Sequence, residues 1–227
     1  MDTQDKVRKI LGLVNRAYGR PAKLKKTDPI DELIRTILSQ NTNDRNSLGA
    51  FSLLKKRFRS WSEVMVSDTR LVAGTIRHAG LANIKAGRIK EVLKEIVRRE
   101  GRLSLSSLNG LRPDAALEYL RSIKGIGPKT AACVLLFSFA KPVMPVDTHI
   151  FRVTKRLGLL SEGSSIEDAH DKLTRMVSPG LIYNFHLSII EHGRKTCKAQ
   201  RPDCGSCVLY DICKFKKKAF FKKRIKA

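Results

Sequence analysis

EYLRSIKGIGPKTAACVLLFSFAKP, residues 118–142, is the stretch that decides the fold. Apolar residues at helical spacing precede Lys124-Gly-Ile-Gly-Pro128, which is long enough only for a tight turn. Pro128 can begin a second helix, because the amide it lacks would have no partner in the first turn. Residues 129–140 are almost entirely apolar after that turn, and a helix that is apolar on all sides lies at the centre of a fold. The stretch therefore predicts two helices joined by a hairpin, the second of them central.

The hairpin also has the composition of a small anion-binding site. Gly125 and Gly127 carry no side chains, so backbone N–H groups can approach a phosphate closely. The start of the following helix adds a partial positive charge. Because turns contain glycine for conformational reasons alone, the pair by itself is weak evidence for a ligand.

Lys129 lies in the first turn of the predicted central helix, where the helix dipole disfavours a cation. One interpretation is a lysine that contacts phosphate or extends towards solvent. The other is a nucleophilic amine, since burial and the positive end of a helix both favour the neutral form that attacks an electrophilic carbon. The residues alone do not decide between the two.

Asp147, within Pro145-Val-Asp-Thr-His149, is predicted to cap a helix that continues to about Leu157. The same position keeps the carboxylate ionised, because the positive end of a helix favours an anion. An ionised acid near a nucleophilic lysine can stabilise a sugar cation or activate the amine. Capping and catalysis are compatible roles for this side chain.

Helical periodicity extends over most of the remaining chain, and convincing strand alternation is absent. The predicted helices are one from Val7 to Tyr18, one opening at Asp28-Pro29, Lys85–Val97, one opening at Pro113, Ile166–Met176 and Leu181–His192. No low-complexity linker divides them. We therefore expect an all-α protein.

Four cysteines near the end of the sequence follow the spacing C-x6-C-x2-C-x5-C: Cys197, Cys204, Cys207 and Cys213. Thiolates at this density indicate a shared metal centre, and sulfur-only ligation suits either zinc or an iron–sulfur cluster. A pair of disulfides is the alternative. It fits less well, since we expect no secretory leader and the chain is long enough to bury its own core.

The chain has a large excess of positive charge, with 45 Lys and Arg against 21 Asp and Glu, a formal net charge of +24. Such an excess attracts phosphate backbones independently of sequence. The hydrophobic share of 42% indicates a folded protein and not a disordered polycation. No apolar run approaches the roughly 20 residues of a membrane span, and no segment has the pattern of an interfacial helix. We expect a nucleic-acid partner, no membrane partner and a cytoplasmic, nucleoid-associated location. The basic tail, residues 214–227, is either a frayed solvated end or part of this charged surface.

Taken together and in this order, four motifs resemble the endonuclease III family of the helix-hairpin-helix DNA glycosylase superfamily. They are Gly125–Ala131, Pro145–Arg152, His192–Arg194 and the four cysteines at the family's own spacing. The resemblance implies a two-domain, all-α helix-hairpin-helix DNA glycosylase fold with a C-terminal iron–sulfur cluster loop. Residues 22–140 would form a helical barrel domain with the hairpin. Residues 1–21 plus 141–227 would join the N-terminal helix to the cluster, which the resemblance implies is 4Fe–4S on the four cysteines.

The resemblance implies base excision repair by a DNA glycosylase that is also an abasic-site (AP) lyase. Lys129 would be the Schiff-base nucleophile and Asp147 the catalytic carboxylate. A damaged pyrimidine would be flipped out of the duplex, because its reacting bond is unreachable inside the stack. Its glycosidic bond would be cut and the strand nicked by β-elimination. The partner would be double-stranded DNA with a damaged base or an abasic site, bound by a monomer.

The resemblance also implies a set of DNA contacts: Gly125, Gly127, Gln40, Asn41, Leu81, His149, Lys198 and Arg201. In the family a glutamine and a leucine fill the space that the flipped base leaves. Leu81 matches the leucine, and its alternative is ordinary helix packing. Asn41 stands at the glutamine position with Gln40 beside it, so the preference for the opposite base is left open.

Two other functions are compatible with parts of this sequence. A monofunctional uracil or thymine mismatch glycosylase usually carries tyrosine or another residue without an amine where Lys129 stands. A non-catalytic DNA-binding iron–sulfur protein would not need both Lys129 and Asp147. The resemblance therefore favours the bifunctional enzyme, while the preferred lesion stays open.

Overall fold

The computed structural model describes residues 2–223, which form helices and no β-strand. The α-helices are α1 Thr3–Tyr18, α2 Pro29–Ser39, α3 Asp44–Arg57, α4 Trp61–Val66, α5 Thr69–Thr75, α6 Ala82–Glu100, α7 Pro113–Arg121, α8 Pro128–Phe139, α9 Thr148–Arg156, α10 Ile166–Met176, α11 Ile182–Lys195 and α12 Lys218–Lys223. Short 3-10 helices span Arg77–Ala79, Ser106–Asn109 and Pro179–Leu181. The predicted all-α class is confirmed.

The chain divides into two compact units. One is Lys25–Lys141, which contains α2 to α8, and the other combines Met1–Leu24 with Pro142–Ala227 and contains α1 and α9 to α12. The boundaries predicted at residues 21/22 and 140/141 lie close to these. The identification of residues 22–140 as a helical barrel domain, and of residues 1–21 plus 141–227 as a cluster domain, stays a prediction.

The core of the unit Lys25–Lys141 is built around α8, which packs against α2 and α7. Every residue of α8 from Thr130 to Leu136 is buried, as expected for a helix that is apolar all round. Helix α2 contributes an inward face that is almost fully buried: Leu33, Ile34, Ile37 and Leu38. Burying each such side chain stabilises the fold by roughly 1.5–3 kcal/mol. The central position predicted for α8 is confirmed.

Helix α2 begins where its capping signals predict. The Asp28 carboxylate accepts hydrogen bonds at 2.9 Å from the amides of Ile30 and Asp31, and Pro29 occupies the first turn. Helix α6 is longer than the predicted Lys85–Val97 because Leu81 and Gly101 provide its two ends in left-handed backbone conformations. A Lys85–Val97 helix was therefore correct in place and too short at both ends.

Helices α3, α4 and α5 were not predicted. The apolar spacing of α3 is interrupted on its surface, where Leu48 and Leu53 are exposed, and α4 and α5 have only six and seven residues. A local signal was nevertheless present, because Asn43, Ser60 and Asp68 cap the three helices with side-chain hydrogen bonds to backbone amides.

In the second unit, α11 packs against α1 and α9. The stripe predicted for the first helix is buried in α1: Val7, Ile10, Leu11 and Val14. Helix α10 occupies the predicted residues and begins with a reciprocal capping box between Ser165 and Asp168. In residues 2–223 no helix is both long and apolar enough to cross a membrane.

The basic tail is folded as far as the structure describes it. The Lys218 amine donates to the carbonyls of Tyr210 and Cys213, each at 2.8 Å, and the rings of Phe215 and Phe221 stack 6.2 Å apart. The frayed-end alternative is therefore wrong for residues 214–223. Residues 224–227 lie outside the described part of the chain.

Candidate active site and metal centre

The hairpin between α7 and α8 needs glycine at one position and leaves the other open. Gly125 has φ +96°, and a Cβ added there would lie 3.0 Å from Cγ of Arg88. Gly127 has φ −84°, and a Cβ there would meet nothing within 4 Å. Among residues 2–223, no side chain caps the start of α8. The first amides of this helix therefore face an approachable position, which suits an anion.

Lys129 is half-buried in the first turn of α8, and its Nζ lies 3.4 Å from Oγ of Ser39 at the end of α2. Within the described residues no carboxylate lies at ion-pair distance from this amine. The lysine is therefore neither a solvated surface side chain nor half of a salt bridge. Its placement fits the nucleophile interpretation, which stays a prediction.

The two candidate wedge residues that follow α2 have different surroundings. The Gln40 side chain is held at both ends, accepting from Arg88 Nη1 at 2.6 Å and donating to Thr130 Oγ1 at 3.4 Å. Asn41 is exposed and has φ +52°, a left-handed conformation that few residues adopt. The structure thus ties Gln40 beside the hairpin and presents Asn41 to solvent.

Leu81 is not an ordinary helix-packing residue. It precedes α6 with φ +51° and is 51% exposed. An apolar side chain held in solvent by a strained turn fits an insertion role better than core packing. The alternative of helix packing is wrong, and the DNA contact stays a prediction.

Glu32, for which the sequence alone predicts no special role, is a buried carboxylate on α2. Its oxygens accept from the hydroxyls of Thr27 and Thr36 at 3.3 and 3.5 Å, and Arg35 lies 3.7 Å away. Burial raises the pKa of Glu32, although Arg35, the two hydroxyls and the positive charge of Lys129 partly oppose this effect. Acids are common in a first helical turn, so the sequence offered no signal that this one points inward.

Asp147 caps α9 as predicted. Its Oδ1 accepts a hydrogen bond of 2.7 Å from the amide of Ile150. His149, one residue into the helix, is half-buried and its Nδ1 lies 3.2 Å from Arg152 Nη2. Lys129 belongs to the unit Lys25–Lys141 and Asp147 to the other, so the acid–lysine pair stays a prediction.

The four cysteines Cys197, Cys204, Cys207 and Cys213 line one pocket and form no disulfide. Burial raises the pKa of the Cys204 and Cys213 thiols and that of Cys207 to about 12, and the negative charges of neighbouring cysteines add to each effect. Such thiolates are stable together only around positive charge. A sulfur-only donor set spread around a pocket fits a multinuclear iron–sulfur group.

Helix α9 holds the cysteine loop through two arginines. Arg152 Nε donates to the carbonyl of Cys197 at 3.0 Å. Arg156 donates to the carbonyls of Lys198 and Ala199 at 2.7 and 2.8 Å and lies 3.3 Å from the Cys197 sulfur. The helix that begins at the candidate catalytic acid therefore also fixes this loop, from which the predicted DNA-contacting side chains of Lys198 and Arg201 are exposed.

His192, part of a motif quoted for the resemblance, is a buried partner of this loop. Its Nδ1 lies 3.1 Å from the Tyr18 hydroxyl and its Nε2 3.8 Å from the Cys207 sulfur. Burial, with a smaller contribution from the charge of Arg152, lowers the pKa of His192 to about 4. The imidazole is therefore neutral at physiological pH and joins α1 to the cysteine pocket.

Comparisons with known proteins agree with this geometry. Residues 34–179 match the family described as HhH-GPD superfamily base excision DNA repair protein, and residues 197–213 match the iron–sulfur binding domain of endonuclease III. Endonuclease III of Sulfolobus acidocaldarius is 37% identical over 185 residues, which cover 81% of this chain and 80% of that protein. The chain belongs to the endonuclease III family. As an endonuclease III family member it is a base excision DNA repair protein with a 4Fe–4S cluster, so that cofactor prediction is confirmed and zinc is not the metal.

Solved endonuclease III structures have the same fold. A non-covalent endonuclease III–DNA complex superimposes with a TM-score of 0.81 at 26% identity, covering 100% of both chains. A trapped endonuclease III–DNA covalent intermediate gives a TM-score of 0.79 at 27% identity, covering 99% of this chain and 100% of that one. The predicted helix-hairpin-helix glycosylase fold is confirmed.

Proposed function

We propose that this endonuclease III family protein is a bifunctional DNA glycosylase and AP lyase that removes damaged pyrimidines from duplex DNA. The observation that carries the proposal is the half-buried amine of Lys129 in the first turn of α8. Solved structures of the family include both a DNA complex and a trapped covalent intermediate with DNA, which support covalent chemistry. The protein acts in the compartment that holds the chromosome, the cytoplasm and its nucleoid, as a monomer.

Base removal uses Lys129 as the nucleophile. Its neutral nitrogen forms a bond to C1′ of the damaged nucleotide, while the bond from C1′ to the base breaks and the base leaves with the electron pair and gains a proton. Asp147, at the start of α9, stabilises the positive charge that develops on the sugar. The bond between C1′ and the ring oxygen then breaks, the ring oxygen takes a proton that the lysine nitrogen gives up, and an imine remains between Lys129 and C1′.

Strand cleavage follows from that imine. Loss of a proton from C2′ breaks the bond between C3′ and its oxygen, so the 3′ phosphate leaves by β-elimination. Water then hydrolyses the imine, which releases the unsaturated sugar and restores the Lys129 amine. In this proposal the carboxylate of Asp147 takes part in these proton transfers.

DNA is held by backbone contacts and opened by two exposed side chains. The amides near Gly125 and Gly127 bind a phosphate at the uncapped start of α8. Asn41 and Leu81 fill the space of the flipped base, since both lie exposed in a left-handed backbone conformation, whereas Gln40 is tied to Arg88 and Thr130. His149, two residues after Asp147 in the chain, is a further proposed DNA contact.

The cluster is held by the four cysteines and serves the DNA-binding surface. When bound, it supplies four iron–thiolate bonds that cross-link residues 197–213 into one loop. Arg152 and Arg156 fix that loop to α9, so that Lys198 and Arg201 are presented together to phosphate. No step of base removal needs the cluster to change its charge.

Borohydride trapping tests the proposal, because borohydride reduces an imine to a stable amine and leaves a covalent protein–DNA adduct. A duplex with one thymine glycol is incubated with the protein and borohydride and analysed on a denaturing gel. We expect an adduct with wild type, none with Lys129→Ala, and an undiminished adduct with Lys124→Ala, the control lysine exposed in the same hairpin. Base release without trapping would instead indicate a monofunctional glycosylase, and a gel shift without either would indicate a binding protein.

Asp147→Asn separates catalysis from capping. Asparagine caps helices about as well as aspartate, so α9 and DNA binding are expected to persist. Turnover is expected to fall about 10²- to 10⁴-fold, the range for loss of a positioned acid or base. Single-turnover glycosylase assays and gel-shift titrations measure the two quantities, and a wild-type rate in this variant would remove Asp147 from the mechanism.

A further inference from the structure

Three residues other than glycine in the unit Lys25–Lys141 have a left-handed backbone; one is Ala140, after α8, with φ +54°, and the other two lie near the two ends of the segment between α2 and α6. Asn41, after α2, and Leu81, before α6, have φ values of +52° and +51°. For leucine this conformation costs roughly 1–2 kcal/mol, so at Leu81 it persists only where its surroundings impose it, whereas asparagine adopts it more readily. Both turns expose the side chain at the strained position.

One buried side chain bonds to both turns. Lys85 on α6 is 2% exposed, and its Nζ donates to the carbonyl of Leu38 at 2.8 Å and to that of Ala79 at 2.7 Å. Leu38 lies three residues before Asn41, and Ala79 lies two residues before Leu81. The backbone amide of Lys85 also bonds to the Leu81 carbonyl at 2.9 Å.

A lysine is suited to this position because both acceptors end helical segments. Leu38 is the second-last residue of α2, and Ala79 is the last residue of the 3-10 helix Arg77–Ala79. Carbonyls at such ends lack a partner within the helix and carry partial negative charge. The ammonium group compensates both, which offsets the cost of burying a charge.

We propose that Lys85 is a positioning residue that holds the Asn41 and Leu81 turns in one fixed arrangement, so that both side chains enter the duplex together as the damaged base leaves. The inference rests on the proposed function, in which these two side chains fill the vacated space. Lys85 itself touches no DNA, because it is buried beneath the turns. Its role is to keep two separate segments of the chain in register.

The same helix offers a matched control. Lys90, also on α6, donates to the carbonyl of Ser67 and to Oγ1 of Thr69 at 3.0 Å. It therefore also bonds α6 to a neighbouring segment, from a half-buried position and at a loop that carries neither wedge residue. Lys90→Met reports the general cost of losing such a bond.

Base extrusion is measured without chemistry in a Lys129→Ala background. The probe is a duplex with 2-aminopurine opposite one thymine glycol, since 2-aminopurine fluorescence rises when the base loses its stacking. We expect Lys85→Met to reduce the fluorescence rise at saturating protein by more than about twofold, and Lys90→Met to leave it unchanged. In proteins with Lys129 intact, Lys85→Met is expected to slow thymine glycol removal about 10- to 100-fold, the cost of misplacing groups by about 1 Å.

Borohydride trapping at a preformed abasic site distinguishes a loss of base extrusion from a general structural defect. A general defect would lower this trapping as well. No stacked base has to leave such a site, so Lys85→Met is expected to change abasic-site trapping by less than about threefold. An equal loss in fluorescence, base removal and abasic-site trapping would show a merely structural role and overturn the proposal. Unchanged fluorescence in folded Lys85→Met would overturn it as well.

A double-substitution cycle tests whether Lys85 acts through the wedge. Leu81→Ala removes one wedge side chain, so adding Lys85→Met is expected to lower the fluorescence rise by a smaller factor than it does in the presence of Leu81. Multiplicative, independent effects would overturn the proposal. If Lys85→Met does not fold, Lys85→Gln replaces it. The shorter amide can reach only one of the two carbonyls, so an intermediate loss of the fluorescence rise is expected. A wild-type fluorescence rise in Lys85→Gln would overturn the proposal.

The two proposals fail in different ways. Absence of a borohydride adduct with wild-type protein would remove the lyase function, whereas the fluorescence comparison needs only DNA binding. A wild-type adduct together with equal fluorescence for the Lys85 and Lys90 variants would leave the lyase function intact and remove the role of Lys85.

Discussion

Alanine at Gly125 and alanine at Gly127 are expected to harm different properties, although the residues are two positions apart. Gly125 is required by the fold, because its φ of +96° is unfavourable for any side chain and a Cβ would press on Arg88 Cγ at 3.0 Å. Gly127 has an ordinary backbone conformation and no neighbour within 4 Å of an added Cβ. Its open position is the one proposed to receive a DNA phosphate.

The stability cost of Gly125→Ala follows from three contributions. The positive φ costs roughly 1–2 kcal/mol, and displacing the Arg88 side chain from its rotamer costs about 0.5–1.5 kcal/mol. The unfolded chain loses entropy when glycine becomes alanine, which returns about 0.4–1 kcal/mol. The net destabilisation is about 2 kcal/mol, which corresponds to a fall in Tm of about 4–8 °C for a chain of this size.

Gly127→Ala has the opposite profile. The same unfolded-state gain is offset by the poorer capping of alanine, so its Tm is expected to stay within about 2 °C of wild type. A methyl group at this position keeps a phosphate from the amides of α8, and losing one such contact weakens DNA binding about tenfold. Gly125→Ala is expected to bind DNA more tightly than Gly127→Ala at temperatures where both are folded.

Thermal unfolding by circular dichroism and fluorescence-anisotropy titration of an abasic-site duplex, both at one salt concentration, measure the two effects. Equal melting temperatures for the two variants would refute the backbone argument at Gly125. Wild-type affinity in Gly127→Ala would refute the phosphate site at the start of α8.

Further variants test the cofactor and the buried acid. Cys204→Ser is expected to lose the visible iron–sulfur absorbance and to have a lower Tm than wild type. DNA binding is expected to weaken at least about tenfold, because Lys198 and Arg201 are no longer held together. Retained DNA affinity after loss of the cluster would contradict the proposed role of the loop. For Glu32 the folded-state pKa is raised above the ordinary 4.5, so its contribution to stability is present below pH 4.5 and is lost as pH rises through the folded-state value. Glu32→Gln cannot ionise and is expected to melt at a higher temperature than wild type at pH 8, with the difference shrinking towards pH 4, whereas Glu91→Gln at an exposed position of α6 serves as the control. If the difference in Tm between Glu32→Gln and wild type did not change with pH, the pKa of Glu32 would not be raised in the folded state.

Much of the fold could be predicted because its signals are local. Asp28 and Asp147 cap helices through amides two or three residues away, and Pro128 begins α8 through its own ring. The spacing of the four cysteines likewise lies within one short segment, where it indicates a metal centre before any packing is known. Such patterns depend on the geometry of neighbouring residues, which the sequence lists directly.

Helix α3 and the two short helices α4 and α5 were missed, and α6 was predicted too short, because amphipathic periodicity weakens in helices that expose apolar residues or end in strained turns. Leu48 is exposed on α3, and Leu81 ends the turn before α6 with a conformation that no propensity favours. Periodicity reports which face is buried. It does not report where a strained residue stops the helix.

The sequence by itself determined the helical class, the hairpin, the helix caps and the sulfur-rich metal site, because each of these depends on residues that are neighbours along the chain. Only the tertiary structure decided that Lys85 is buried between two turns, that Glu32 points inward and that Gln40, and not Asn41, is tied down. The physical reason is the distance along the chain. Lys85 meets Leu38 across 47 positions and Gln40 meets Thr130 across 90, so these contacts exist only after the helices have packed.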